Sequence, residues 1–281
     1  MSHEPKEIKV PQDSAPLIAP TRTIMEYGKT VLVTLLIALV IKAFVVEAFR
    51  IPSGSMENTL LVGDFLLVNK LAYGIRTPHR GDVVVFEFPG IRRDEDAGEQ
   101  SNYIKRCIGL PGDTITIRQS RVFIDGRELL FSRTVKNSSG YSAFSRGVSV
   151  VPAGSGFTEN EYGPVVVPKR GDVVHLDETS FEQWRAFIVR EGHSARIDSR
   201  GTVFVNGQPV QTYAVEQDYY FVLGDNRNNS LDSRFWGFVP EDNLVGEALM
   251  VYWSWNPDIS LLEFNEKLKS VRWERFGMLV R

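Results

Sequence analysis

Apolar residues gather in one long run near the N-terminus and then recur in short alternating bursts. Residues 1–29 are polar and aperiodic, with Lys6, Lys9, Arg22 and Lys29 offset by Glu4, Glu7, Asp13 and Glu26, which reads as a flexible cytoplasmic tail. From Val31 to Phe49 charge interrupts the apolar run only at Lys42 and Glu47. As a helix rising ~1.5 Å per residue this stretch reaches about 28 Å, close to the ~30 Å hydrocarbon core of a bilayer. It begins too late for a cleaved signal peptide, so the pattern predicts a transmembrane signal-anchor helix over residues 30–49. A lysine near the bilayer centre costs ~2.5–3.5 kcal/mol, which the surrounding Leu, Ile, Val and Phe, at about −0.3 to −0.6 kcal/mol each, offset. Long domains translocate largely regardless of flanking charge. The expected topology is single-pass, with the N-terminus cytoplasmic and residues 50–281 on the far side.

Beyond residue 60 the pattern changes to strands. Asp64–Val68, Asp82–Phe88, Thr114–Arg118, Val122–Ile124, Val203–Val205 and Tyr219–Leu223 are β-branched and aromatic runs bounded by Gly, Pro, Asn or Asp. A Gly-Asp pair recurs at 63–64, 81–82, 112–113, 171–172 and 224–225 and reads as turn chemistry. Asp125-Gly126 and Asn206-Gly207 predict two similar hairpins. Thr179-x-x-Glu182 reads as a capping box opening one helix over 179–191, whose apolar face is Phe181, Trp184, Phe187 and Ile188. The Ser/Gly-rich stretch 132–163 reads as a mobile loop. The chain thus divides into a tail, a span and a mainly β exported part. In that part a second β-rich lobe with one helix, 114–218, is inserted between core segments 50–113 and 219–281.

Composition narrows the chemistry. Over 281 residues, 32 basic side chains against 35 acidic ones give a net charge of −3, so the chain lacks the basic field that dominates nucleic-acid binding. One cysteine, Cys107, rules out an internal disulfide and a Cys-cluster zinc site. The four histidines form no H-E-x-x-H pair. No metal and no cofactor is expected.

Three polar segments stand out. Ile51-Pro-Ser-Gly-Ser-Met-Glu-Asn-Thr-Leu60 follows the apolar run directly, so Ser55 is expected at the membrane surface. In Asn102-Tyr-Ile-Lys-Arg-Cys-Ile-Gly-Leu-Pro-Gly-Asp113 strand alternation puts Tyr103, Lys105 and Cys107 on one face. Gly224-Asp-Asn-Arg-Asn-Asn-Ser-Leu-Asp-Ser-Arg234 is too polar for an ordinary connection and offers Ser230 together with an Asp232–Arg234 pair. Trp253, Trp255, Trp273 and Phe276 fit an interfacial contact and core packing about equally.

Taken together and in this order, these segments resemble the motifs of bacterial type I signal peptidase, a membrane-bound serine protease. The matching pieces are Pro52-Ser-Gly-Ser-Met56 with Thr59-Leu60; Gly81-Asp82-Val83-Val84; Lys105-Arg106 with Gly109-x-Pro111-Gly112-Asp113; and Gly224-Asp-Asn-Arg-x-x-Ser230-x-Asp232-Ser-Arg234. The resemblance implies a β catalytic core with a variable β lobe, seated in the inner membrane. It implies Ser55 as nucleophile, Lys105 as general base, and Ser53 joining the Ser55 backbone N–H in an oxyanion hole. It further implies Ser230 as the hydroxyl that orients the lysine and Asp232–Arg234 as a structural pair. The implied substrates are signal peptides of preproteins, cut after a small-x-small site and paired against edge segments at Arg50, Ile51, Pro52, Asn102 and Tyr103; the implied surroundings are the lipid bilayer. Asn58 stands where the family usually has Pro, a departure expected to loosen the turn after Ser55.

A serine hydroxyl needs a neighbour to take its proton. No histidine lies in the matched motifs, which makes a Ser–Lys dyad the economical arrangement, although spacing alone leaves a Ser–His–Asp triad open. A lysine base near neutrality must fall from a pKa of ~10.4 to ~7–8, and burial against apolar atoms lowers it. Two other readings remain at this stage: a self-cleaving Ser–Lys protease of the repressor type, and a membrane-tethered β domain that only binds peptides.

Overall fold

The computed structural model describes residues 20–89, 102–130, 149–152 and 154–281. Of the expected flexible tail over 1–29, residues 1–19 lie outside them, as does the Ser/Gly-rich segment 132–148, while residues 20–29 are helical, a correction to the tail reading. The chain divides into two compact units, Met1–Phe44 and Val45–Arg281.

In the first unit, helix α1 spans Pro20–Phe44. The expected span to residue 49 is corrected here. The helix stops at Phe44, and Val46–Arg50 is strand β1, paired along its whole length with β2, Asp64–Asn69, from Val46↔Asn69 to Arg50↔Phe65. β-Branched and aromatic residues suit a half-buried strand as well as a lipid-facing helix, and here a five-residue ladder decides. Glu47 consequently lies outside the helix and pairs with Lys70 at 3.3 Å. Among the described residues no helix is long and apolar enough to cross a membrane.

The second unit is mainly β. Its principal sheet takes strands from both ends of the unit. From the first part come β1, β2, β3 (Val83–Glu87) and β4 (Asn102–Gly109). The intervening chain holds β5 (Thr114–Arg118), β6 (Arg121–Ile124), β7 (Arg127–Glu128), β8 (Tyr162–Val166), β9 (Val173–His175), β10 (Ala195–Ile197), β11 (Val203–Val205), β12 (Gln208–Pro209) and β13 (Thr212–Ala214). The last part returns β14 (Tyr219–Leu223), β15 (Val239–Pro240), β16 (Leu244–Ser254) and β17 (Met278–Leu279) to the principal sheet. Its order is β1-β2-β16-β3-β4-β14-β15, with β17 on β16, while β5 to β13 form separate small sheets.

Alternation along β3 places a core on each face of the sheet. Val83 and Val85 join Ile51, Met56, Leu60, Leu66, Val68, Ala248 and Val251. Val84 and Phe86 join Cys107, Tyr220, Val222, Phe235, Trp236 and Val239. A further cluster welds the intervening strands to the sheet: Ile115, Ile117, Val122 and Tyr162 pack with Ile108, Phe221 and Phe238.

Four of the Gly-Asp pairs build one repeated turn. Asp64, Asp82, Asp113 and Asp172 each donate their backbone N–H to the carbonyl three residues earlier. Each also accepts that earlier residue's N–H on its carboxylate. The preceding glycine has φ between 86° and 99° in every case, which a side chain would disfavour.

Helix α2 is the single turn Ala72–Ile75 and helix α3 spans Phe181–Arg190. The cap of α3 differs from the expected Thr179–Glu182 box. The Asp177 carboxylate takes the N–H groups of Thr179 and Ser180, while Ser180 Oγ accepts the Asp177 N–H. The same reciprocal device thus sits two residues earlier, because Asp caps better than Thr. Part of the expected loop over 132–163 is tied down: Val151 N–H donates to the Arg234 carbonyl, and β8 begins at Tyr162.

Candidate active site

The loop from Pro52 to Val62 leaves and rejoins the sheet at one neck. Ile51 N–H donates to the Asp64 carbonyl at 2.8 Å, and Gly63 N–H donates to the Ile51 carbonyl at 3.0 Å. Ser53 is extended, and a single 3-10 turn, Gly54–Met56, follows. Buried Met56 and Leu60 nail the loop to the core. The turn after Ser55 is not loosened by Asn58. Thr59 N–H closes on the Met56 carbonyl at 3.1 Å, with Asn58 at φ 87°. Asparagine tolerates that conformation, and proline, fixed near −65°, does not.

Strand β4 brings Lys105 to this loop. Its Nζ donates to Ser55 Oγ at 2.9 Å and to the Ile104 carbonyl at 3.0 Å. Lys105 is 3% exposed and Ser55 8%. The amine also lies 5.4 Å from the centre of the Tyr103 ring. Burial pushes its pKa down to about 8, against the opposing pull of the Asp232 and Asp225 carboxylates. A neutral amine within hydrogen-bond reach of a serine hydroxyl is the geometry of a general base beside a nucleophile. Ser53 Oγ lies 3.5 Å from Ser55 Oγ.

The Gly224–Arg234 segment packs behind the serine. Asn226 N–H donates to the Ser55 carbonyl at 3.0 Å, and its side-chain amide donates to the Gly54 carbonyl and to Glu57 Oε2, both at 3.1 Å. Gly224 is needed for close approach: a Cβ there would stand 2.2 Å from Ser230 Oγ and 2.5 Å from the Ser55 carbonyl oxygen. Ser230 is buried, and its hydroxyl faces the Asp232 carboxylate, helping to hold that group in its charged form. The expected contact from Ser230 to the amine is not made here: the hydrogen bonds of Lys105 Nζ go to Ser55 and Ile104. Asp232 and Arg234 form a fully buried pair, Nε to Oδ1 at 2.8 Å. Asp232 Oδ2 also accepts the Gly224 N–H, and Arg234 Nη2 donates to the Arg227 carbonyl.

Sequence patterning gave no role to a second buried cluster beside the dyad. Arg106, next to Lys105 in β4, donates from Nε and Nη2 to both oxygens of Asp225 at 2.8 and 2.5 Å. Thr59 Oγ1 donates to the same carboxylate at 2.5 Å. The three residues lie inside the recognised motifs, but their contacts reach across 119 residues from Arg106 and 166 from Thr59 to Asp225 and have no local signature.

The edge segments differ in what they offer. Arg50, Pro52 and Asn102 are exposed, and Tyr103 is half-buried and stacked on Phe88 at 4.8 Å. Ile51 turns its side chain into the core and spends its backbone groups on the loop neck. β1 ends the sheet order. β14 pairs with β4 only over Arg106–Gly109, so Asn102–Lys105 is laddered on the β3 side alone.

The family model described as signal peptidase, peptidase S26, matches residues 24–253. The chain belongs to the signal peptidase S26 family. Among its relatives, signal peptidase I of Pseudomonas aeruginosa is 35% identical over 258 residues, covering 84% of this chain and 74% of that one. Signal peptidase I of Pseudomonas fluorescens is 35% identical over 264 residues, covering 85% and 76%. The probable signal peptidase I-2 of a Synechocystis species is 32% identical over 256 residues, covering 90% and 83%. Membership in the S26 family makes the chain a serine endopeptidase.

Proposed function

We propose that this chain removes signal peptides from exported preproteins, with Ser55 as nucleophile and Lys105 as general base. The observation that carries the reading is the buried 2.9 Å contact between Lys105 Nζ and Ser55 Oγ, joined to membership in the family. The neutral amine takes the Ser55 proton as Oγ attacks the scissile carbonyl, then gives it to the departing amine. An acyl-enzyme remains, and the freed lysine draws a proton from water to hydrolyse it. The Ser55 N–H and the Ser53 hydroxyl hold the oxyanion, each donor worth ~2.7–4 kcal/mol.

The substrate adds as an extended strand between the unpaired edges at β1 and Asn102–Lys105, with main-chain bonds giving affinity and shallow pockets admitting small residues on either side of one variable position. Arg50, Pro52, Asn102 and Tyr103 line that path.

The reading includes attachment to the inner membrane through the N-terminal apolar segment, with the N-terminus cytoplasmic and Val45–Arg281 outside. Its support is that Val31, Leu32, Val33, Leu35, Leu36, Ile37 and Leu39 of α1 are 52–67% exposed, and a helix with apolar residues on all sides requires apolar surroundings. Trp273 and Phe276 are also exposed and suit an interfacial depth.

The decisive experiment incubates the full chain in detergent with a preprotein. Cleavage after a small-x-small site, lost in Ser55→Ala and in Lys105→Ala and unaffected by chelator, supports the reading. Wild-type turnover in both variants rejects the Ser55–Lys105 assignment, and absence of cleavage by the unaltered chain favours a non-catalytic peptide-binding domain.

A further inference from the structure

The family match ends at residue 253, yet the chain beyond it turns back onto the serine loop. Helix α4 is the short turn Ser233–Trp236, and α5, Phe264–Lys269, begins the return. Buried Lys267 fastens that return by donating to the Asn256 and Ile259 carbonyls at 2.7 and 2.6 Å. β17 then pairs with β16 at Met250↔Leu279 and Val251↔Met278. Between α5 and β17, Arg272 and the 3-10 turn that it caps, Trp273–Arg275, present two arginines to the loop. Arg272 Nη1 donates to the Val62 carbonyl at 3.0 Å. Arg275 grips the fully buried Asp64 carboxylate from Nε and Nη2, at 2.9 and 2.6 Å, and Nη2 reaches the Thr59 carbonyl at 2.9 Å.

Thr59 is therefore held from two directions: its carbonyl by Arg275, its hydroxyl by the Arg106–Asp225 pair. The path from Thr59 back to Ser55 is stiff, since the N–H groups of Thr59 and Leu60 both close on the Met56 carbonyl. Asp64 also closes the loop neck through its own carbonyl. Arg275 thus bonds the neck and the far side of the loop whose first turn carries Ser55. Lys105 has one hydrogen bond to Ser55 and comes from a different strand, so the register of the two depends on where this loop sits.

We infer that Arg275 is a positioning residue for the cleavage reaction, and that Arg272–Arg281 is a strap setting Ser55 against Lys105. The inference rests on the catalytic reading above. A planar guanidinium satisfies a carboxylate and a carbonyl at fixed angles, and lysine, a point charge, does not. Displacing a reacting group by about 1 Å costs up to ~10²-fold in rate.

The test uses the full chain in detergent and a signal-peptide substrate, with active enzyme counted by titration with a serine-acylating reagent. Arg275→Met alone leaves the buried Asp64 carboxylate with Arg272, at 4.0 Å, as its remaining cation, so it is paired with the double variant Asp64→Asn, Arg275→Met, which removes both charges, and with Arg275→Lys, which keeps a close cation on Asp64. Expected is a fall in kcat per titrated site of about ten- to a hundredfold in the double variant, KM within about twofold, and partial recovery in Arg275→Lys. Wild-type kcat per titrated site in the double variant and in Arg275→Lys overturns the inference. So does a loss that vanishes once counted per titrated site, which is a folding defect only. Turnover in Ser55→Ala is the separate result that sinks the catalytic reading itself.

Discussion

Lys105 Nζ and Ser55 Oγ meet at 2.9 Å across 50 residues of sequence, almost wholly out of water. The lysine is a base only while uncharged, and burial brings its pKa to about 8. As pH falls through that value the amine takes a proton and stops accepting one from serine. Cleavage (kcat/KM) is expected to drop about tenfold per unit below it. A pH–rate profile from 5 to 10 checks this, and a flat profile contradicts it.

The same amine burdens the fold. Its pKa is 10.5 when unperturbed and about 8 in the folded chain. Between those values the unfolded chain binds more protons than the folded one, so stability climbs with pH across that window. Below about 8 the full penalty applies, about 3 kcal/mol at ~1.36 per unit. Lys105→Met is therefore expected to raise the melting temperature at pH 7 while cutting turnover by about 10³-fold or more. Thermal melts at pH 7 and pH 10 measure it; the stabilisation should be much smaller at the higher pH.

Gly224→Ala places a methyl group against the Ser55 carbonyl and the Ser230 side chain. Both neighbours belong to tightly held segments, so the serine loop has to give way. Turnover should fall about 10²-fold for an ångström of displacement, with secondary structure intact by circular dichroism. Wild-type kcat in this variant would mean the loop is softer than its hydrogen bonds imply.

At position 58 the family's usual proline is expected to do harm. Asn58 sits at φ 87°, and a ring fixed near −65° forces the turn apart, costing at least ~1–3 kcal/mol. Asn58→Gly should be neutral or stabilising by up to ~1 kcal/mol. Chemical denaturation of both variants gives the comparison.

Much of the scaffold is legible locally. Thr114–Arg118, Val203–Val205 and Tyr219–Leu223 occupy the strands their patterning predicts. Asp125 and Asn206, at φ 49° and 50°, turn the two expected hairpins. Where a long-range partner decides, the sequence is mute. Val46–Arg50 continues an apolar run that suits a helix, and only the presence of β2 beside it makes it a strand. At the site, Ser55 and Lys105 stand out because they sit in ornate motifs. The grip of Asp225 on Arg106 and Thr59, and of Arg275 on Asp64, joins segments far apart in the chain. Such contacts leave ordinary-looking charged residues and no period to read.

Strand β1 closes one end of the principal sheet, and among the described residues no strand is laddered to its outer side. A row of free amide and carbonyl groups welcomes a visiting chain, and it welcomes a neighbouring copy equally well. Charge is the available safeguard: Glu47 and Arg50 stand within the strand with opposite signs. Neutralising both would leave Val46, Ala48 and Phe49 as a short apolar template, and the molecule would trade solubility for stickiness at the margin proposed above for its substrate.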